Sequence, residues 1–230
     1  MIGIIGAMDE EVAVLRSEME VEETVEQASM TFNRGKLCGR EVVIVCSGIG
    51  KVNAAVCAQI LADRFHVDVL INTGIAGSLD AAIDIGDMVI STDAMHHDMD
   101  ATVFGDPAGQ VPRMDTLSFP ADKELIEKAR TANEEENPDI HTFTGRIASG
   151  DQFISSPDVK ERIVSLFGAR CVEMEGAAIA HVAYLNKIPY VIVRAISDKA
   201  DNSAIMDYPE FEKQAIQHSV RLVRSLLPRI

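Results

Sequence analysis

Short runs rich in valine and isoleucine recur along the chain, and helical patterns lie between many of them. Several runs are almost continuously apolar, which is typical of strands covered on both faces. Strands alternating with helices predict an α/β fold with a mixed or mostly parallel central sheet and helices on both sides. The predicted strands are residues 2–6, 41–46, 67–72, 87–92, 140–149, 169–173 and 189–197, with 30–40 as a candidate hairpin strand, and the predicted helices are 9–19, 51–65, 121–136, 175–186 and 209–227.

The chain has 230 residues, of which 47% are hydrophobic. A chain of this length buries about 70% of its extended surface on folding, which is enough for a complete core. Because no repeat, low-complexity segment or linker divides the sequence, we expect residues 1–230 to form a single domain. One long irregular stretch, residues 97–120, contains several glycines and prolines, and loops of this length usually have a function or cover an interface.

The chain is strongly acidic. It carries 36 acidic and 21 basic residues, which gives a formal net charge of −15. Sequence-independent binding to nucleic acid or to anionic lipid requires a basic surface. The sequence also lacks a run of about 18 uncharged apolar residues that could cross a bilayer. We therefore expect a small-molecule ligand, with neither nucleic acid nor a membrane as a partner.

The cysteines and the N-terminus predict the compartment. The four cysteines form no C-x-x-C pair. Cys46 ends an apolar run and Cys57 lies among alanines, so both are predicted to be buried free thiols, as is usual in a reducing compartment. The first residues lack the basic segment of a signal peptide. We therefore expect a cytoplasmic protein.

Two motifs begin like known ligand sites but lack a required residue. The turn from Gly48 to Gly50 starts like a dinucleotide-binding fingerprint, but Asn53 occupies the position of the third glycine. On a strand, His96 and His97 point to opposite faces, and no third ligand follows at a recognised spacing. We therefore expect no metal and no cofactor, although the glycine turn can still line a pocket at the end of a strand. The absence of a G-x-S-x-G motif also disfavours a covalent acyl-enzyme.

Three acidic residues stand in otherwise apolar surroundings near the ends of predicted strands. Glu11 follows the first strand by one helical turn, Glu175 comes just after the strand 169–173, and Asp198 follows the run 191–196. Ligands bind at the carboxyl edge of α/β sheets. Each acid alone is better explained as a solvated helix cap. Together they indicate acid/base chemistry and hydroxyl recognition.

Six segments that fall in order along the chain carry a family resemblance. Together they resemble the 5'-methylthioadenosine/S-adenosylhomocysteine nucleosidases of the purine nucleoside phosphorylase superfamily, and the similarity extends from Met1 to the last helix. The resemblance implies a nucleoside phosphorylase-like fold and hydrolysis of the bond between adenine N9 and ribose C1'. The segments are residues 2–11 (IGIIGAMDEE), 47–51 (SGIGK), 72–77 (NTGIAG), 149–154 (SGDQFI), 172–175 (VEME) and 194–198 (RAISD).

The resemblance implies a role for each of the three carboxylates. Asp198 matches the acid that protonates adenine N7, since adenine leaves poorly as an anion; such an acid needs a dry site to keep its proton. Glu11 matches the base that activates water on the opposite face of the sugar, as in inverting glycoside hydrolysis. Glu175 matches the acceptor of hydrogen bonds from the ribose hydroxyls, which strengthen as the sugar becomes cationic.

The resemblance also implies a set of substrate-binding residues. Phe153 is similar to the ring that stacks on adenine, and the backbone of Ile154 is expected to pair with the base edge. Met174 is expected to lie against the ribose, while Ala7, Ile49 and Gly77 are expected to line the cavity. For Ala7 and Ile49, a place in the core is an equally good interpretation. Arg194 is expected either to support the acid site or to pair with Glu173.

One difference from the family's sequence pattern bears on whether water or phosphate is the nucleophile. Many relatives have serine where this chain has Ile75, and a hydroxyl in that loop is among the phosphate ligands of the related phosphorylases. The acidic stretch Asp9-Glu10-Glu11 also lies where those phosphorylases carry a phosphate-binding arginine. An anion is repelled by such a stretch, which favours water.

The family implies a homodimer in which the loop near Val103, Phe104 and Pro112 reaches the neighbouring site and covers the 5' substituent. The expected substrates are 5'-methylthioadenosine, S-adenosylhomocysteine and 5'-deoxyadenosine, with a futalosine-type nucleoside as an open alternative. Two other functions stay open. A phosphorylase on the same fold requires phosphate, and a non-catalytic nucleoside sensor binds without turnover and does not need a water-activating base.

Overall fold

A computed structural model describes residues 1–230, except for the side chains of Met206 and Pro209. The strands are β1 (Ile2–Gly6), β2 (Glu20–Gln27), β3 (Met30–Leu37), β4 (Arg40–Cys46), β5 (Val69–Ser78), β6 (Met88–His96), β7 (Phe119–Pro120), β8 (Thr142–Ser149), β9 (Cys171–Glu173) and β10 (Tyr190–Asp198). The α-helices are α1 (Asp9–Glu18), α2 (Lys51–Phe65), α3 (Lys123–Glu136), α4 (Pro157–Phe167), α5 (Gly176–Asn186) and α6 (Ala204–Leu226). Short 3-10 turns occur at Thr102–Phe104 and Leu227–Arg229.

The ten strands form one mixed sheet that closes on itself at one end. Strands β5, β10, β6, β8 and β9 pair in a ring, and β1, β4, β3 and β2 extend from β5 as an open arm. Strand β5 lies at the junction, where it pairs in parallel with both β1 and β10 and antiparallel with the end of β9. Three parallel strands, β1, β5 and β10, therefore end at the same edge of the sheet, and this edge carries the candidate site.

Helices cover both faces of the sheet. One hydrophobic core contains side chains of α2 and α5, and the other contains side chains of α1, α3 and α6. Ile4 and Ile5 of β1 contribute to different cores, as do Val191 and Ile192 of β10. Every residue of β1 and β10 is buried, which explains why these strands are mostly apolar. The predicted mixed α/β sheet with helices on both sides is confirmed.

The structure differs from the predicted elements at β2, at the start of α6 and at helix α4, which was not predicted. The candidate hairpin strand at 30–40 is confirmed as β3, but its partner β2 was not predicted. Strand β2 has the sequence EVEETVEQ and buries only Val25, because it lies at the open edge of the sheet. An exposed acidic edge strand lacks the apolar signal on which strand prediction depends. Helix α6 begins at Ala204, five residues before the predicted start.

The cysteines are free thiols in different environments. Cys57 and Cys171 are buried, Cys46 is half-buried and Cys38 is exposed. The prediction of a buried thiol is therefore confirmed for Cys57 and wrong for Cys46. The reason is that Cys46 is the last residue of β4, where the chain leaves the sheet for the glycine turn.

In the part of the chain that the structure describes, no helix combines the length and the apolar character needed to cross a membrane.

Candidate active site

A cavity of about 220 Å³ opens at the edge where β1, β5 and β10 end. Glu11, Glu175 and Asp198, which are far apart in sequence, all line it, and Glu173 is a fourth carboxylate on the wall. Glu11 follows β1, Asp198 is the last residue of β10, Glu173 is the last residue of β9, and Glu175 comes two residues after it. Glu11 and Asp198 meet because β1 and β10 run parallel to β5 and end at the same edge, and the pairing of β9 with the end of β5 brings Glu173 and Glu175 to that edge.

Glu11 is held by three backbone N–H groups. Its Oε2 accepts hydrogen bonds from Ala7 at 2.7 Å and Met8 at 3.1 Å, and its Oε1 accepts one from Ile75 at 3.1 Å. The bond from Met8 also caps α1, so the carboxylate has a structural role. Burial raises the pKa of Glu11, and the charge of Arg194 and the three N–H groups act in the opposite direction. The result is a fixed carboxylate with enhanced basicity.

Arg194 and Glu173 form a buried ion pair next to the cavity. Arg194 Nη2 lies 2.5 Å from Glu173 Oε2 and 2.5 Å from Asn72 Oδ1. Glu173 Oε2 also accepts the N–H groups of Glu175 at 3.1 Å and Gly176 at 2.7 Å. Of the two alternatives for Arg194, the structure shows pairing with Glu173. Glu173 in turn fixes the backbone that carries Glu175.

Glu175 faces the glycine turn that follows β4. Its Oε1 accepts a hydrogen bond of 2.8 Å from the backbone N–H of Gly50, whose φ of +97° favours glycine. Burial, and then the charge of Glu173, raise the pKa of Glu175 to about 7. The turn from Gly48 to Gly50 thus contributes to the cavity through an N–H group that binds a carboxylate.

Asp198 is positioned by its immediate neighbours. Its Oδ1 accepts the Ala200 N–H at 2.8 Å, and its Oδ2 accepts the Ser197 hydroxyl at 2.9 Å. A side-chain carbon at Gly77 would lie 2.8 Å from Asp198 Oδ1, so glycine is required there. Burial is the main cause that raises the pKa of Asp198, and the two hydrogen bonds oppose it. A buried carboxyl with a raised pKa retains its proton to a higher pH, as a general acid requires.

The remaining predicted residues occupy different parts of the wall. Ala7, Ile49, Gly77, Phe153 and Met174 line the cavity. Ile154 lines a smaller adjoining pocket of about 30 Å³, and its side chain packs in a core cluster.

Several lining residues were not predicted as binding residues. They are Met8, Ala76, Val172, Ser197 and Tyr208, together with Glu173. All but Tyr208 lie within two positions of a predicted residue, so they were detectable from the same strand ends. Tyr208 lies on α6, and its ring packs edge-on against Phe153 with centroids 5.9 Å apart. Only the packing of α6 brings it to the cavity.

The first of the two adjacent histidines packs against other rings. His96 is buried and packs edge-on against Phe119, with centroids 6.0 Å apart. Burial lowers the pKa of His96 to about 4, so its ring is neutral at physiological pH. Among the described residues, no three or more histidine, cysteine or acidic side chains are grouped so that they could hold a metal ion.

Comparison with known proteins places the chain in a family. Residues 1–228 match the sequence model of the phosphorylase superfamily. The chain is 42% identical over 228 residues to the 5'-methylthioadenosine/S-adenosylhomocysteine nucleosidase of Staphylococcus haemolyticus, and the match covers 99% of both chains. This chain belongs to the 5'-methylthioadenosine/S-adenosylhomocysteine nucleosidase family.

Solved structures related to this nucleosidase family have the same fold. The nucleosidase of Neisseria meningitidis in complex with methylthio-immucillin-A has a TM-score of 0.95 and 39% identity, and the match covers 100% of this chain and 99% of that one. The futalosine hydrolase of Helicobacter pylori strain 26695 has a TM-score of 0.93 and 32% identity, with 100% and 97% covered. The predicted nucleoside phosphorylase-like fold is confirmed.

Ile75, which the family resemblance assigned to a loop, lies within β5. The Ile75 side chain is buried and lines the cavity, and its backbone N–H donates to Glu11. The position therefore supplies an apolar surface and an amide already bound to a carboxylate. It supplies no hydroxyl for an anion.

The long loop that precedes β7 exposes apolar side chains. Val103 is 84% exposed and Phe104 is 86% exposed, in the 3-10 turn Thr102–Phe104, and Pro112 is also exposed. An exposed apolar tip of this kind is typical of a segment that packs against another molecule.

Proposed function

We propose that the protein hydrolyses the N-glycosidic bond of 5'-methylthioadenosine, S-adenosylhomocysteine and 5'-deoxyadenosine, and releases adenine and the 5-substituted ribose. The observation that carries the proposal is that Glu11, Glu175 and Asp198 line one cavity together with the aromatic ring of Phe153. Relatives named for the first two substrates share 42% of the sequence over nearly the whole chain.

Asp198 is proposed to protonate adenine N7. Its raised pKa keeps a proton available, and its contacts with Ser197 and Ala200 fix the direction of the carboxyl group. Phe153, half exposed on the cavity wall, stacks on the base, and the backbone of Ile154 pairs with the base edge. Protonation turns the adenine into a neutral leaving group, so the bond to C1' breaks more easily.

Glu11 is proposed to activate the attacking water. Three N–H groups hold its carboxylate in one orientation, and burial makes it more basic than an exposed glutamate. Water attacks C1' on the face opposite to adenine, as in inverting glycoside hydrolysis. Ala7 and Ile49 line the same cavity.

Glu175 is proposed to accept hydrogen bonds from the ribose hydroxyls. Its Oε1 is anchored by Gly50, which leaves the second oxygen available for the sugar. Hydrogen bonds of this kind strengthen as positive charge develops on the ribosyl group. Met174 lies against the same region of the cavity.

Water is favoured over phosphate as the nucleophile by the charge of the cavity. Four carboxylates line it, and among the described lining residues none is lysine, arginine or histidine. Ile75 adds no hydroxyl. A phosphate dianion in this cavity has no counter-ion on the wall, whereas water requires only the base.

The test is adenine release by the purified protein in buffer freed of phosphate. We expect hydrolysis of methylthioadenosine, S-adenosylhomocysteine and 5'-deoxyadenosine, with a free 5-substituted ribose as the second product and no acceleration by added phosphate. Formation of a sugar 1-phosphate would assign the protein as a phosphorylase, and tight binding without turnover would assign it as a sensor. A futalosine-type nucleoside is included because a futalosine hydrolase has the same fold.

The protein is further proposed to act as a homodimer, in which the loop carrying Phe104 and Pro112 covers the 5' end of the neighbouring cavity. The support is the exposure of Val103 and Phe104. Sedimentation should give a dimer of the 25.0 kDa chain. Phe104→Ser should raise KM for methylthioadenosine, whereas the matched change Leu185→Ser, on α5, tests the effect of removing an exposed apolar side chain elsewhere. An unchanged KM in Phe104→Ser would contradict the role of the loop.

A further inference from the structure

The segment that carries Phe153 has few polar contacts of its own. Residues 150–156 lie between β8 and α4 and belong to no helix or strand. The side chain of Ile154 packs in a core cluster, whereas Phe153 is 50% exposed. Between described residues, positions 152–155 make no hydrogen bond, so Asp151 is the last polar anchor before the ring. The contacts that fix Asp151 therefore help to place Phe153.

Asp151 belongs to a closed cycle of three hydrogen bonds. Its Oδ1 accepts the backbone N–H of Lys51 at 2.8 Å, and its own N–H donates to Asp98 Oδ2 at 3.0 Å. The ammonium group of Lys51 closes the cycle with a bond of 2.5 Å to Asp98 Oδ1. The side chains of Lys51 and Asp98 are only 20% and 19% exposed, so salt screens this ion pair less than a surface pair.

The cycle joins three segments that leave the sheet at neighbouring points. Asp98 follows the end of β6 by two residues, and Asp151 follows the end of β8 by two residues. These two strands run in parallel and end with His96 opposite Ser149. Lys51 is the first residue of α2, just after the glycine turn that follows β4. The base segment is therefore held by contacts with two other segments at the edge of the sheet.

At the N-terminus of α2, the cycle meets the ribose side of the cavity. Gly50 is the N-cap and has no side chain to bind the free N–H groups of the first turn. Two carboxylates from other elements bind them instead: Glu175 accepts the N–H of Gly50 and Asp151 accepts that of Lys51, both at 2.8 Å. A side-chain carbon at Gly50 would lie 3.1 Å from Asp151 Oδ1, which shows how closely the turn approaches the base segment.

We propose that Asp151 is a positioning residue that fixes the base site relative to the ribose site. It binds the N–H adjacent to the one that holds Glu175, and so keeps Phe153 in register with Glu175. The inference rests on the proposed nucleosidase function and adds to it a residue outside the described lining of the cavity. Without this bond the base segment moves away from the turn, and a nucleoside cannot meet both groups in one orientation.

The first test removes the acceptor. We expect Asp151→Ala to lower kcat/KM for 5'-methylthioadenosine by about three- to tenfold, the range for the loss of one hydrogen bond. Asp151→Asn keeps an oxygen that can accept the Lys51 N–H, so its kcat/KM should stay within about twofold of the unmodified value. The matched control is Asp122→Ala, which removes a carboxylate that accepts the N–H of Leu125 at 2.9 Å at the start of α3. It should leave kcat/KM unchanged.

A double-variant cycle with Phe153 separates positioning from a general loss of stability. In a protein that already carries Phe153→Ala, the further change Asp151→Ala should lower kcat/KM by less than about twofold, because the ring that Asp151 places is absent. A full three- to tenfold loss in that background would show that the two residues act independently, and would overturn the positioning role.

The outcomes also distinguish this inference from the proposed function. An unchanged kcat/KM in Asp151→Ala, or an equal loss in Asp122→Ala, would overturn the positioning role while the nucleosidase proposal stands. Failure of the unmodified protein to release adenine from methylthioadenosine would overturn the proposed function. Calorimetric titration with free adenine then still tests the placement of Phe153. A rise in Kd of about three- to tenfold in Asp151→Ala supports the positioning role, and an unchanged Kd contradicts it.

Discussion

Arg194 Nη2 and Glu173 Oε2 lie 2.5 Å apart, and both side chains are at least 96% removed from solvent. Glu173 also binds the N–H groups of Glu175 and Gly176, so the pair connects β10 to the segment that carries a proposed ribose ligand. Removing one member of such a pair leaves an uncompensated buried charge.

We therefore expect Arg194→Met to lower the free energy of unfolding by about 3–5 kcal/mol. The double variant Arg194→Met/Glu173→Gln should recover part of this loss, because no buried charge is then left without a partner. Urea denaturation of the two single variants and the double variant measures the coupling. Additive effects of the two changes would show that the pair does not act as a unit.

Asp198→Asn should abolish nearly all turnover while the protein stays folded. The amide still accepts a hydrogen bond from Ala200 but cannot give a proton to adenine N7. General acid catalysis contributes about 10²–10⁴-fold, so kcat should fall by at least that range. Adenine release measures the effect, with Asp63→Asn, an exposed aspartate on α2, as the control. Near-normal turnover would remove Asp198 from the acid role.

Glu11→Gln should also abolish turnover but retain binding of a substrate analogue, because the proposed work of Glu11 is on the water. Calorimetric titration with the analogue and a kcat measurement give the two quantities separately. Glu10→Gln, at the adjacent exposed position of α1, is the matched control. If Glu11→Gln lost binding of the analogue but kept a high kcat, the role of Glu11 would be that of a helix cap only.

Phe153→Ala should mainly weaken substrate binding. Loss of stacking on a base costs about 1–3 kcal/mol, which corresponds to a rise in Kd of about five- to 150-fold. Phe153→Leu keeps an apolar side chain but not the flat ring, so an effect close to that of Phe153→Ala would point to stacking. An unchanged Kd in Phe153→Ala would place the ring outside the base site.

The pH dependence of stability should reflect Glu175. Its pKa is raised from an ordinary value of 4.5 to about 7, so the folded protein binds this proton more tightly than the unfolded chain does. Protonated Glu175 therefore contributes its full stabilisation below about pH 4.5, and this contribution is lost as the pH rises through 7. Over this range Glu175 lowers the free energy of unfolding by at most about 1.4 kcal/mol per pH unit. Glu175→Gln should flatten the fall in the free energy of unfolding between pH 4.5 and 7, and Glu22→Gln should not. An identical slope in Glu175→Gln would show that other groups cause it.

The sequence by itself determined the elements that bury apolar surface on both faces. Most residues of strands such as β1 and β10 are apolar, because every position of these strands is buried. The same sequence could not reveal β2, whose stability comes from pairing with β3 at the edge of the sheet and not from its own apolar residues. The apolar pattern of a segment reflects how many of its side chains are buried, and an edge strand buries few of them.

For the candidate site, the sequence indicated Glu11, Glu175 and Asp198 because acidic residues near the ends of apolar strands are unusual and ligands bind at the carboxyl edge of α/β sheets. The sequence left Arg194 with two alternatives and gave no indication of Tyr208. Contacts between strands and the packing of α6 decided both, since the Arg194–Glu173 pair joins residues 21 positions apart and the Tyr208 hydroxyl meets Met8 across 200. Such contacts depend on how the elements pack in three dimensions, and no local sequence pattern encodes that packing.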